Sequence, residues 1–251
     1  MASILYVGDG SAPLRMVIAS PFSVEFKGFG TYVWSEDFLR ALSKAGHTVI
    51  HMQNWEAHAR FPQTPEELAQ YGLIILSDVE RDVLLLYPDR ERAPMGRDRL
   101  RSIREYVRDG GALMMIGGWA SFTGRLAVGM YHATPVEDTL PVECLPVTDD
   151  RVETPEGVYL HAVQPDHPIM RGIPWDECPM FLGYNRIKLK AGAALLARVG
   201  DDPFLAVWDF GKGRAMAFAS DCSPHWATAF VAWTHYPRFW AQATAWLTRE
   251  G

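Results

Sequence analysis

The chain lacks the marks of several large protein classes. Its three cysteines, Cys144, Cys178 and Cys222, are odd in number and far apart, so they form neither a disulfide framework nor the paired spacing of a metal finger. Such sparing use fits a reducing compartment, and a cytoplasmic location is expected. No apolar run approaches the roughly 20 residues that a membrane span requires. Residues 1–7 pass straight into a strand pattern with no basic leader. Positive charge is also short: 24 Lys and Arg stand against 30 Asp and Glu, a net charge of −6, which argues against a broad nucleic-acid surface. Internal repeats, low-complexity tracts and flexible linkers are missing too, so residues 1–251 are expected to form one domain. Neither a membrane nor a nucleic acid is expected as partner, and neither a metal nor another cofactor.

What the chain does have is an alternation of strand-like and helix-like segments. Ile4–Val7, Thr48–Met52, Leu73–Leu76 and Ala112–Ile116 are short apolar runs that read as buried strands. Trp34–Ala45 and Arg97–Arg108 carry apolar residues at the spacing of one helix face, each followed by a glycine suited to ending a helix. Thr64-Pro65-Glu66-Glu67 reads as a capped helix start. Residues 79–96 are polar and proline-containing, which suggests a long surface loop. Strands joined by helices imply an α/β protein with a parallel sheet and helices on both faces. Residues 125–190 break the pattern with many prolines and short β-like pieces, and read as an irregular, antiparallel insertion at one edge. Ala193–Val199, Phe204–Phe210 and Arg214–Ala219 then read as strands, the last two forming a hairpin about Gly211-Lys212-Gly213. Tyr236–Thr248 reads as a closing helix. Nine Trp and nine Tyr either fill a core or build an aromatic pocket or subunit interface, and both readings stand open.

Four places carry polar chemistry. The strand at 112–116 ends in Gly117-Gly118-Trp119-Ala120-Ser121-Phe122, the kind of tight turn with which α/β enzymes raise a nucleophile above the sheet. Trp119 at its tip cannot attack anything, but the turn's amides suit an anion at a helix N-terminus, and Ser121 suits an N-cap. The second place is Ser220-Asp221-Cys222-Ser223-Pro224-His225, where an acid, a thiol and an imidazole follow a strand. Cys222 and His225 can make a nucleophile and base, or Asp221 and His225 can orient one another while Cys222 fills the core. Only the remote His161, His167 and His235 would add metal ligands there. Third is the 23–31 segment, where Glu25 and Lys27 flank Gly28 and Gly30 near the same sheet edge, although a lone Gly-x-Gly is weak evidence for a nucleotide. Fourth is Phe181-Leu182-Gly183-Tyr184-Asn185, where Tyr184 and Asn185 either bond a polar ligand or belong to a plain turn.

In this order the elbow, Asp166-His167-Pro168-Ile169, Leu182-Gly183-Tyr184-Asn185, Gly211-Lys212-Gly213-Arg214 and Ser220–Trp226 span almost the whole chain. They make it resemble the class I glutamine amidotransferase-like superfamily, in a branch of bacterial cytoplasmic proteins related to trehalose-utilisation-type proteins. The resemblance implies a flavodoxin-like three-layer fold with a mostly parallel central sheet and the irregular insertion at its edge. Active members carry Cys at the elbow and a later His-x-Glu pair. Here Trp119 takes the nucleophile's place and Trp226-Ala227 follow His225, so glutamine hydrolysis by that mechanism is not expected. The resemblance instead implies a small polar, sugar-derived metabolite bound at the carboxyl ends of the strands. Gly118, Trp119, Ser121, Glu25, Lys27, Tyr184 and Asn185 are the candidate contacts. Two other readings stay open. One is a hydrolase using Cys222 or an activated water with His225 and Asp221; the other is a non-catalytic interaction protein. A homo-oligomer is expected, because the proline-rich insertion offers aromatic surface.

Overall fold

The computed structural model describes residues 1–10, 14–20, 23–29, 33–89 and 91–250, with 14–20 and 23–29 as backbone only. The chain opens with β1 (Ser3–Gly8), followed by a hairpin of β2 (Leu14–Ser20) and β3 (Ser23–Phe29), α1 (Glu36–Lys44) and β4 (Thr48–Met52). Then come α2 (Asn54–Arg60), α3 (Pro65–Leu68), β5 (Leu73–Ser77), α4 (Arg81–Leu85), α5 (Arg99–Arg108) and β6 (Ala112–Ile116). The second half contains α6 (Pro135–Thr139), β7 (Val142–Cys144), β8 (Arg151–Val158), β9 (His161–Ala162), β10 (Phe181–Asn185), β11 (Ile187–Leu189), β12 (Ala194–Val199), β13 (Asp202–Phe210) and β14 (Gly213–Phe218). The last elements are α7 (Thr228–Val231) and α8 (Tyr236–Thr248).

Eight strands form the main sheet in the order β4-β1-β5-β6-β14-β13-β12-β9. The first five are mutually parallel, and β13, β12 and β9 continue antiparallel. This is the mostly parallel, flavodoxin-like α/β sheet expected, and residues 142–189 supply its irregular edge: β7 pairs with β11 and β8 with β10 as separate ribbons. Every residue of β5 and β6 is buried, because α1 and α8 pack as one helix layer and α3 and α5 as the other. The register places Gly8 opposite Ser77, Ser77 opposite Ile116 and Ile116 opposite Phe218. Four neighbouring strands therefore stop on one line, and the residues that follow them share one edge.

Local chemistry explains the helix ends. The Asp98 carboxylate accepts the Leu100 and Arg101 amides at 3.0 and 3.2 Å, and the Thr64 hydroxyl accepts the Glu67 amide at 3.2 Å beside Pro65. Two expectations change. Residues 79–96 are not simply a surface loop: they contain α4, whose Leu84 is buried with Val79 and Tyr87. Buried Arg99 lies 3.9 Å above the Tyr87 ring and closes the segment. Trp34 precedes α1 rather than belonging to it and stands half exposed, since the apolar spacing alone could not place the first helical turn.

Candidate functional site

Three of the aligned strands end in a small residue followed by aspartate: Gly8-Asp9 after β1, Ser77-Asp78 after β5 and Ser220-Asp221 just past β14. Asp9 and Asp78 adopt left-handed backbone, φ 49 and 46°, a conformation that aspartate tolerates better than most residues. Asp9, Asp78 and Asp221 line one cavity of about 290 Å³ together with Trp34, Trp119, Ser223, Pro224 and His225. The cavity lies at the carboxyl edge of the parallel strands, where open α/β sheets bind ligands. Larger grooves elsewhere, such as the one of about 540 Å³ between Tyr71, Tyr106 and Leu247, lie at the opposite end of the strands and bring no such cluster together.

The electrostatics of the three acids is unusual. Asp9 accepts hydrogen bonds from the hydroxyls of Tyr6 and of Ser77, the latter at 3.0 Å. Burial nevertheless raises its pKa above the ordinary carboxylate range. Burial, followed by the charge of Asp9, pushes Asp78 up to about 7. Burial and then the charges of Asp9 and Asp78 push Asp221 well up, although its Oδ1 accepts the Ser223 amide at 2.9 Å and the Ser223 hydroxyl at 2.6 Å. Three carboxyl groups thus oppose one another across a small space, and at neutral pH they share fewer than three charges.

The elbow is built differently. Gly118 has φ 151°, and a Cβ there would lie 2.3 Å from the Asp78 carboxylate. The Gly118 amide donates to Asn185 Oδ1 at 2.8 Å, and Asn185 Nδ2 donates to the Gly118 carbonyl at 3.0 Å and to Asp150 at 2.8 Å. Asp150 in turn accepts the Thr123 and Gly124 amides at 2.9 and 3.0 Å. The Ala120 amide donates to Asp78 Oδ1 at 2.7 Å. Turns occupy residues 118–123, and no α-helix begins until α6. The expected anion site is therefore corrected: there is no helix N-terminus here, and Asp78 itself fills the place an anion would take. Trp119 at the tip is 40% exposed. Its ring lies 5.0 Å from the guanidinium carbons of both Arg125 and Arg151, and 5.5 Å edge-on from the ring of His225.

The remaining candidates divide sharply. Asp221, His225 and Trp119 meet at the cavity, with Gly118 directly behind it against Asp78. Asp221 and His225 share no hydrogen bond, so neither orients the other; His225 instead holds a strained φ of 136° and its ring stacks on Trp226. Partial burial, aided by Arg151, lowers the imidazole's proton affinity. Ser121 caps no helix: its hydroxyl accepts the Asp78 amide at 3.0 Å and fixes the aspartate's backbone. Cys222 is fully buried against Tyr6, Ser77 and Asp9, and burial with the neighbouring acids pushes its thiol far up. With no bond to His225, it is a core thiol and not a nucleophile. Tyr184 donates to Asp202 at 2.8 Å and Asn185 is spent on the elbow, so both brace the structure instead of facing the cavity. The side chains of Glu25 and Lys27 lie outside the described residues. Among the described residues, no group of three or more His, Cys, Asp or Glu side chains is arranged to hold a metal ion. Asp9, Asp78 and Trp34 were missing from the sequence candidates. The repeated small residue–Asp pair at three strand ends is the signal that would have pointed to the two acids.

Comparison with known proteins agrees with this architecture. The chain superposes on the cytoplasmic protein STM3548 of Salmonella typhimurium at 32% identity with a TM-score of 0.89, covering 97% of this chain and 98% of that one. It superposes on the cytoplasmic protein STM1381 of Salmonella typhimurium LT2 at 34% identity with a TM-score of 0.89, covering 98% and 99%. A thua-like protein from Bacteroides uniformis shares the fold at 12% identity and a TM-score of 0.55, over 98% of this chain and 90% of that one. No curated protein matches the chain. No helix among the described residues is long and apolar enough to cross a membrane. Residues 15–249 match the GATase1_like family model, described as "Putative glutamine amidotransferase", and the chain belongs to that glutamine amidotransferase-like family.

Proposed function

We propose that this chain is an amidotransferase-like protein that has exchanged glutamine hydrolysis for the binding of a small polar metabolite. The observation that carries the reading is the cavity of about 290 Å³, lined by the polar groups of Asp9, Asp78, Asp221 and His225 and by the aromatic side chains of Trp34 and Trp119. Few precisely placed polar groups on an aromatic wall are the usual make-up of a small-molecule site. The volume suits a ligand of about the size of a monosaccharide. A cytoplasmic location is carried over from the two Salmonella relatives.

Loss of the family reaction has two physical causes beyond the Trp at the tip. Asp78 occupies the elbow amide that an oxyanion would need, and Trp226-Ala227 leave no carboxylate two residues after His225. The variant W119C, which restores a thiol at the tip, is therefore expected to release no ammonia from glutamine above background. The hydrolase reading survives only as an activated water beside His225. Binding is tested by thermal shift with a panel of sugars, amines and amides. A compound that stabilises the wild type and fails to stabilise W119A supports the reading; a panel without a single stabilising compound overturns it. Exposed Leu126, Val128 and Met130 beside the elbow favour self-association, which light scattering on an eluting sample decides.

A further inference from the structure

The charge balance of the cavity wall narrows the class of ligand, an inference that rests on the binding role proposed above. Elsewhere the chain pairs its acids: Asp149 with Arg151, Asp138 with Arg104, Asp202 with Arg186. Among the described residues no ion pair reaches Asp9, Asp78 or Asp221, and no Lys or Arg lines the cavity. Asp221 is almost wholly buried, and both hydrogen bonds it accepts fall on Oδ1. Its Oδ2 has no partner among the described residues, although the side chain lines the void. Asp9 repeats the arrangement, with the Tyr6 and Ser77 hydroxyls both on Oδ2. Buried carboxylates without a counter-charge are costly, and a group that supplies one is held strongly. An anionic ligand is disfavoured on the same grounds, since the elbow amide at Ala120 is already taken by Asp78.

We propose that the cavity takes a small ligand bearing a protonated amine, its ammonium among Asp9, Asp78 and Asp221 and its body between Trp34 and Trp119. An ammonium has three donors and no acceptor, which matches a wall of three acceptor groups. Aromatic side chains beside it add a face that tolerates a cation better than hydrocarbon does.

Matched probes test the inference by calorimetry on the full chain. Glucosamine, glucose and N-acetylglucosamine keep one ring and exchange an ammonium for a hydroxyl or an amide, and cadaverine against pentanediol repeats the exchange without a sugar. The expected result is that in at least one series the amine binds about tenfold or more tighter than its neutral twin, the scale of one charge-assisted contact. D221N, whose Oδ1 still accepts from Ser223, is expected to remove that preference. Binding in which the neutral twins match their amines in both series overturns the inference and leaves the binding role standing. No binding by any of the five probes overturns both.

Discussion

Two kinds of turn at the same sheet edge, the elbow after β6 and the acid-bearing turns after β1, β5 and β14, are finished to very different degrees. In the elbow four backbone amides meet internal side-chain partners: Gly118 meets Asn185, Ala120 meets Asp78, and Thr123 and Gly124 meet Asp150. At the acid turns, carboxylate oxygens of Asp9 and Asp221 face a cavity with no partner among the described residues. A fully satisfied network fixes a shape, whereas acids left facing a void await something that is not part of the fold. The elbow, which draws the eye in the sequence, is thus mainly scaffold, and the plain Asp residues beside it, with Trp119 at its tip, line the proposed site.

The most damaging way to break the elbow is G118A. A methyl group there meets the Asp78 carboxylate at 2.3 Å and sits on a backbone at φ 151°. The variant is expected to lose about 3 kcal/mol or more, or to fail to fold, as read from the urea midpoint. N185A comes next. It removes three hydrogen bonds at once and leaves the Gly118 amide and carbonyl and Asp150 under-satisfied in a buried place, at a cost of about 2–3 kcal/mol. If N185A melts like the wild type, the contrast between a finished elbow and an unfinished cavity is wrong.

The acid side is expected to respond in the opposite direction. Asp78 is held at about 7 in the fold against an ordinary 3.8, so the folded chain binds a proton that the unfolded chain has released across that interval. Stability contributed by this group is present at acid pH, falls as pH rises from about 4 to about 7, and stays low above that. D78N keeps an oxygen that accepts the Ala120 amide and removes the charge. It should be more stable than the wild type by about 1–2 kcal/mol or more near pH 8 and show little gain near pH 4, in thermal melts at the two values. A destabilised D78N at pH 8 would mean the Asp78 charge is compensated inside the fold.

How much of this was legible in the sequence follows from the range of the forces involved. The parallel strands declared themselves because both faces are buried, which leaves uninterrupted apolar runs such as 73–76 and 112–116. Thr64 and the glycine after α1 gave helix ends because capping is local. The site was only half visible. Asp221 and His225 stood out by clustering, but Asp9 and Asp78 are separated by 69 positions and meet Asp221 only through strand register. Asn185 misled for the same reason: a polar residue in a glycine-marked segment looks like a ligand contact until β10 is seen to run beside the elbow. Cys222 misled because spacing to His225 says nothing of burial.

The smallest expected change in stability belongs to the residue that first suggested a lost activity. Trp119 is 40% exposed, and its indole meets Arg125 and Arg151 only in cation–π contacts at 5.0 Å, while the hydrogen bond from the Arg125 amide to the Trp119 carbonyl at 2.7 Å does not depend on the side chain. Such contacts near solvent are worth about 0.5–1 kcal/mol, and Arg151 keeps its ion pairs to Asp149 and Glu153 when the indole is gone. W119A should therefore move the urea midpoint by less than about 1 kcal/mol, far below G118A one residue away. A tip that contributes little to folding, held in place by two arginines and edge-on to His225, has no structural reason to be an indole. On the proposed binding role, its reason lies in the cavity wall. Ligand affinity is then the property W119A should lose, and a variant that binds as the wild type does would return Trp119 to the scaffold.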